Sequence, residues 1–204
     1  MDRTRDHRPD DAVRGRVMVN IGWVAQTGSS DEFFELYESG MASTWRDRTF
    51  GTLLECALTR SDVKSRVELA TRLLDDGADA SVVADDGGTT AHTLLDRHDH
   101  IPQLEAPLLE RLFDGGADLN RRVGAKNLGT PLKTLTRKFK FSDEFLAPLY
   151  DVFFSRDDLD LVTKDSRGIS MLETIRRGGE LRPELLRRAE QYLRAQGIDP
   201  DEVE

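Results

Sequence analysis

His92, His98 and His100 fall with Asp96 and Asp99 inside residues 92–100. Imidazoles beside carboxylates can bind zinc or move protons, so a metal-dependent enzyme is one reading of this stretch. Two solvated histidines next to aspartates in a loop would give the same pattern with no metal, and no cofactor is expected. A second cluster, Arg137-Lys138-Phe139-Lys140-Phe141, interleaves bases with aromatic rings. That suits single-stranded nucleic acid, which needs cations for phosphates and flat faces for bases. Two phenylalanines at a helix–loop junction also pack under the loop. The single cysteine, Cys56, lies in Leu54-Glu55-Cys56-Ala57-Leu58. It can form no internal disulfide and reads as a small buried hydrophobe, because a reactive thiol needs an electropositive, accessible setting. The sequence has no HExxH, nucleophile elbow or phosphate-cradling glycine loop. A catalytic site is therefore not expected.

Charge is the next chemical signal. The 204 residues carry 29 lysines and arginines against 38 carboxylates, a net −9, with 33% charged and 38% hydrophobic residues. The sum is unevenly spread. Residues 75–118 hold eleven carboxylates against Arg97 and Arg111, a balance of −9, whereas 121–140 hold seven cations and no carboxylate. A net acidic chain has no global field for nucleic acid or anionic lipid, although the basic stretch could supply a local one. The two stretches either pair with each other or form a bipolar docking surface. No run approaches the roughly 18 apolar residues of a membrane span, and the charged start has no apolar segment behind it. A cytoplasmic protein with no membrane association is expected.

The elements that position these groups repeat. Thr52, Thr89, Thr130 and Ser170 open similar segments at spacings of 37, 41 and 40 residues. Hydroxyl residues cap helix N-termini, and Pro131 directly after Thr130 has the placement of a first helical residue. Between them recurs Leu-Leu-Asp-Asp-Gly-Ala-Asp at 73–79 and Leu-Phe-Asp-Gly-Gly-Ala-Asp at 112–118, with weaker copies at 36–42 and 193–199. Glycine there ends a helix by accepting a left-handed backbone. Each unit reads as cap, short helix, loop, second helix, glycine stop and connection, with Arg156 in place of one glycine.

Thr130-Pro131-Leu132 and the two Gly-Ala-Asp endings resemble the ankyrin repeat, over roughly residues 17–199. The resemblance implies an all-α solenoid of about five ankyrin-like helix-turn-helix repeats, at about 15–46, 47–85, 86–125, 126–164 and 165–199. Tails are expected at 1–14 and 200–204. The stretch between the helices is longer than the family pattern in every unit. His92 matches the family's helix-start histidine, which bonds backbone between units. Such stacks seldom catalyse; the resemblance implies a protein–protein interaction module, monomeric when free, that binds through its concave face and repeat tips. The family's contact positions transfer to Trp45, Arg46, Arg48, Thr49 and Arg60, to Asp85, Asp86, Asp96 and Arg97, to Lys126, Asn127, Arg137 and Lys138, and to Ser166, Arg167 and Arg177. Trp45 and Phe50 flank one tip as aromatic anchors, Trp45 reading as exposed and Phe50 equally as packing between units. Arginine outnumbers lysine 23 to 6, the bias of a GC-rich bacterial genome. A small acidic protein of this kind resembles bacterial immunity or inhibitor partners. Nucleic-acid binding through 121–140 is the alternative, and the His98/His100 enzyme the second.

Overall fold

The computed structural model describes residues 20–124 and 128–203. The expected charged tail at 1–14 and the candidates Lys126 and Asn127 lie outside them. Eleven α-helices are present among the described residues: α1 Ile21–Thr27, α2 Ser30–Leu36, α3 Met41–Thr44, α4 Leu53–Leu58, α5 Val63–Asp75, α6 Thr90–Leu95, α7 Pro102–Asp114, α8 Pro131–Thr136, α9 Asp143–Phe154, α10 Met171–Arg177 and α11 Pro183–Ala195. The fold is all-α, with short β pairings at the turns. β1 (Arg46–Asp47) pairs antiparallel with β2 (Gly51–Thr52), and single bridges join Val83 to Thr89 and Val123 to Gly129.

Helices of six or seven residues are too short to persist alone, so packing must hold α4, α6, α8 and α10 in place. Their starts are specified locally. The side chains of Thr52, Thr89, Thr130 and Ser170 accept the backbone N–H of Glu55, His92, Lys133 and Glu173, three residues on. Glu55 and His92 return a bond to the capping residue's own N–H, which closes a capping box. α5 and α7 end where a left-handed glycine follows: Gly77 has φ +87° and Gly116 φ +96°.

The short helices pack in the order α1, α4, α6, α8, α10, and a second row runs from the equally short α2 through the long α5, α7, α9 and α11. The core forms between these two rows. In α4, Leu53, Leu54, Cys56, Ala57 and Leu58 are all buried, because neighbours cover the helix on several sides. Each such leucine contributes about 1.5–3 kcal/mol.

Both ends of the chain depart from expectation. The weak copy at 36–42 does not stop a helix: Gly40 sits at φ −61° and precedes α3, so residues 20–44 form three short helices instead of a pair. The reason is that Gly40 starts a right-handed turn and leaves none of its glycine freedom in use. At the other end, residues 200–202 make a 3-10 turn instead of a free tail. Pro200 is buried, and the Arg176 guanidinium donates to the carbonyls of Pro200 and Val203.

Candidate functional site

Two clefts open beside residues that precede the short helices α4, α6, α8 and α10. The first, about 820 Å³, lies between the 46–52 turn and residues 82–86 and brings together Arg46, Arg48, Asp85 and Asp86. The Asp47 carboxylate shapes the first turn by accepting the N–H of Thr49 and Phe50 at 2.7 and 3.1 Å. Across the cleft, Asp86 accepts the N–H of Gly88 at 3.0 Å while Gly87 takes a left-handed φ of +86°. Glu55, three residues into α4, and Thr93 on α6 also face the cleft. Arg46, Arg48, Asp85 and Asp86 are exposed.

The second cleft, about 440 Å³, lies between residues 122–124 and 129–130 on one side and residues 165–171 on the other. Lys133 on α8 and Thr174 on α10 line it, with Arg122, Asp165 and Arg167. Asp165 builds the turn: it accepts backbone N–H groups of Arg167 and Ile169 and the Arg167 guanidinium at 2.8 Å, which together hold its carboxyl far below the usual carboxylate range. Burial, then the like charges of Arg167, Arg137 and Arg122, lower the affinity of Lys133 for its proton. Arg122 donates to the Thr163 carbonyl and approaches Asp160 at 3.9 Å.

Asp96, Arg137 and Lys138 fall elsewhere, in a third cleft of about 700 Å³ beside the inter-helix loops, with His98 and Phe139. Arg177 sits on α10, exposed and paired with Glu173 at 2.5 Å. The structure therefore divides the predicted tip residues among separate places.

Several of them serve the stack itself. Arg60 is buried and donates to the carbonyls of Val24, Ala25 and Gly28, at the end of α1. Arg97 donates to the carbonyl of Thr59, at the end of α4. Lys138 is half-buried and donates to the Arg97 carbonyl, and burial foremost lowers its proton affinity. Arg182 donates to the carbonyls of Lys138 and Phe141 at 2.7 and 3.0 Å. Each loop cation thus reaches back to carbonyls at or after the end of the preceding short helix, and where those carbonyls close the helix the dipole also favours a cation. Trp45 departs from its expected exposure in the same sense. It is half-buried against α1, and a Cβ at Gly22 would collide with its ring. Phe50 packs against the core.

The histidine cluster divides too. His98 is exposed, whereas His100 is buried, with Nδ1 3.1 Å from Glu105 and Nε2 2.9 Å from the Arg97 carbonyl. The expectation of two solvated histidines fails for His100 because Glu105 and Arg66, both fully buried, form an ion pair beneath it at 3.4 Å. Among the described residues no group of three or more His, Cys, Asp or Glu side chains is placed to hold a metal. His92 caps α6 and links units as the resemblance implied: Nδ1 accepts the Thr89 N–H at 3.2 Å, which leaves Nε2–H to donate to the Gly129 carbonyl at 3.0 Å. Cys56 is buried, with Sγ 3.3 Å from the Phe50 carbonyl, and burial pushes its thiol up to about 12.

The basic stretch 121–140 is largely engaged by the chain. Arg121 donates to the Gly87 carbonyl at 2.9 Å, and Lys140 pairs with Asp99 of the acidic stretch. Phe141 stacks on Phe145 at 5.0 Å and meets His100 edge-on, while Phe139 is 69% exposed. Sequence reasoning missed Arg66, Glu105, Asp143 and Arg182. Asp143 is buried and accepts the N–H groups of Glu184 and Leu185, capping α11 from the neighbouring helix pair. The available signal was that α11 begins at Pro183 with Arg182 before it and no capping side chain of its own.

No protein-family model and no curated protein sequence matches the chain. Solved structures do share its fold. One, a functionally unknown protein from Leptotrichia buccalis C-1013-b, superposes with a TM-score of 0.68 at 22% identity, over 88% of this chain and 95% of that one.

Proposed function

We propose that the chain is an ankyrin-like solenoid of helix pairs that binds a partner protein along its tight-turn side. The observation that carries this reading is the pair of charged clefts, which occupy equivalent positions between successive turns and gather side chains about forty residues apart in the chain. Exposed charges of both signs on a rigid scaffold set register and association rate for a complementary protein. The composition makes an immunity, inhibitor or regulatory role for this chain, with a bacterial toxin or enzyme as the bound protein, the first class to test.

Nucleic-acid binding has less to support it. Arg121, Arg122, Lys138 and Lys140 all bond to the chain's own carbonyls or carboxylates. The enzyme reading is weakened by His100, whose two ring nitrogens already face partners. Affinity capture from the source organism tests the proposal, using the wild type and an Arg48→Glu/Asp85→Lys variant. A discrete protein retained by the first and lost from the second is expected. Equal capture by both removes the first cleft from the binding surface, and a hydrolytic activity that dies in His98→Ala overturns the binding reading altogether.

A further inference from the structure

The long helices repeat side-chain positions as well as shape, and one repeated position differs. The sixth residue of α11 is Arg188, which lies against α9. Three acceptors hold its guanidinium: the Glu184 carboxylate one turn earlier at 2.6 Å, the Asp151 carboxylate on α9, and the Ala147 carbonyl at 3.4 Å. The same three acceptor types recur one helix pair back, where α9 packs against α7. Glu144 stands second in α9 as Glu184 does in α11, while Ala106 and Glu110 stand fifth and ninth in α7 as Ala147 and Asp151 do in α9. The sixth residue of α9, by contrast, is Pro148. A ring without charge or N–H takes the arginine's position there, and a groove of about 420 Å³ runs between Pro107 and Pro148, with Ala106 and Glu110 in its wall. Glu110 and Glu144 are exposed. Arg156, which reaches α7 from the end of α9, goes to the Asp114 carboxylate and the Glu110 carbonyl, not to the Glu110 carboxylate.

We infer that the groove between α7 and α9 is a receptor for an arginine side chain carried by a protein partner. The chain's own Arg188 shows the fit: a planar fork that meets a carboxylate from each of two packed helices and a backbone carbonyl beside them. Glu110 and Glu144 present like charges to a groove whose described lining holds no cation, and an entering guanidinium offsets their repulsion. Pro107 and Pro148 have no side-chain freedom to lose, which limits the ordering cost on the receptor side. An arginine seated against such walls is the kind of anchor that dominates protein interfaces. Lysine fits less well, because a compact ammonium does not span two carboxylates and a carbonyl in one plane. The groove lies on the row of long helices, apart from the cleft that holds Arg48 and Asp85. The protein-binding reading enters only as the source of the arginine.

The test is a titration of the full chain, at low ionic strength, with a short arginine-containing peptide, followed by NMR of the Glu110 and Glu144 side-chain carboxyl carbons. The same peptide with lysine for arginine, and free arginine, serve as separate arms. The arginine peptide is expected to saturate and to move both carboxyl signals, and the lysine peptide to bind about tenfold more weakly. Glu110→Gln and Glu144→Gln, both at exposed positions, should each weaken the arginine peptide about tenfold. Pro148→Arg supplies the groove from within and should abolish peptide binding, whereas Pro148→Ala should retain it. Equal affinity for the two peptides overturns the inference, as does affinity indifferent to both glutamine variants or a Pro148→Arg variant that binds like Pro148→Ala. Free arginine held as tightly as the peptide overturns the protein-borne source. The Arg48→Glu/Asp85→Lys variant should bind the peptide as the wild type does, so failure here is distinct from failure of the affinity capture; a loss in that variant would move the peptide to the first cleft and overturn the assignment to this groove.

Discussion

The Arg182 guanidinium donates to the backbone carbonyl of Lys138 at 2.7 Å, and the Lys138 ammonium donates in turn to the carbonyl of Arg97. Arg97 and Arg60 extend the same relation to the ends of α4 and α1. A line of cations therefore joins the inter-helix loops, each adding a charged donor to backbone carbonyls of the preceding helix pair.

Removing a rung should cost stability where altering its exposed neighbour does not. Arg182→Met removes the charged donor to the Phe141 carbonyl and one of two donors to the Lys138 carbonyl and should destabilise by about 1–3 kcal/mol, and Lys138→Met by about 1–2. Arg137→Glu, next in sequence but exposed, should stay within about 0.5 kcal/mol. Urea denaturation decides it: a Lys138→Met midpoint as unchanged as that of Arg137→Glu denies the line any energetic role.

His92 should make stability depend on pH. Burial lowers its affinity for a proton below the ordinary value of 6.5, against opposing contributions from the Gly129 carbonyl and from Asp86, Asp118 and Asp96. A depressed folded value means that the unfolded chain takes up the proton first. The contribution is then fully present above pH 6.5 and is lost as pH falls through and below it. In structural terms, a proton on Nδ1 would face the Thr89 N–H. Denaturation midpoints between pH 8 and pH 5, set against those of His92→Gln, should show a steeper acid decline for the wild type.

The Arg66–Glu105 pair should behave as one unit. Both side chains are fully buried, and Glu105 also holds His100 and the Ile101 N–H. Arg66→Met strands a buried carboxylate and should cost about 3–5 kcal/mol. Glu105→Gln, which keeps hydrogen-bonding capacity, should cost less. The double variant should lose clearly less than the sum of the two single losses, and an additive result in a thermodynamic cycle would show that the charges are not coupled.

Cys56 should be inert in the folded protein. With its thiol buried and held near 12, thiolate is scarce at neutral pH. A disulfide-exchange reagent should modify it only in denaturant; rapid modification under native conditions would place it at a surface.

Local chemistry made much of this molecule legible in the chain. Thr52, Thr89, Thr130 and Ser170 each cap a helix because a hydroxyl three residues before an N–H makes its bond within one turn. Gly77 and Gly116 end helices because only a residue without a Cβ takes that backbone freely. Charge segregation, the all-α composition and the role of His92 were readable on the same grounds, since each rests on neighbours in sequence or on a repeat that copies them. The tertiary structure alone decided how charged side chains divide between solvent and stack. Arg60 and Arg48 are the same residue type in the same unit, yet one is buried on three carbonyls and the other exposed at a cleft. The difference lies in partners about thirty to forty residues away, whose carbonyls meet Arg60 only after the helix pairs have stacked. Asp143 capping α11 and Glu105 beneath His100 arise in the same way, from distances that the order of residues does not contain.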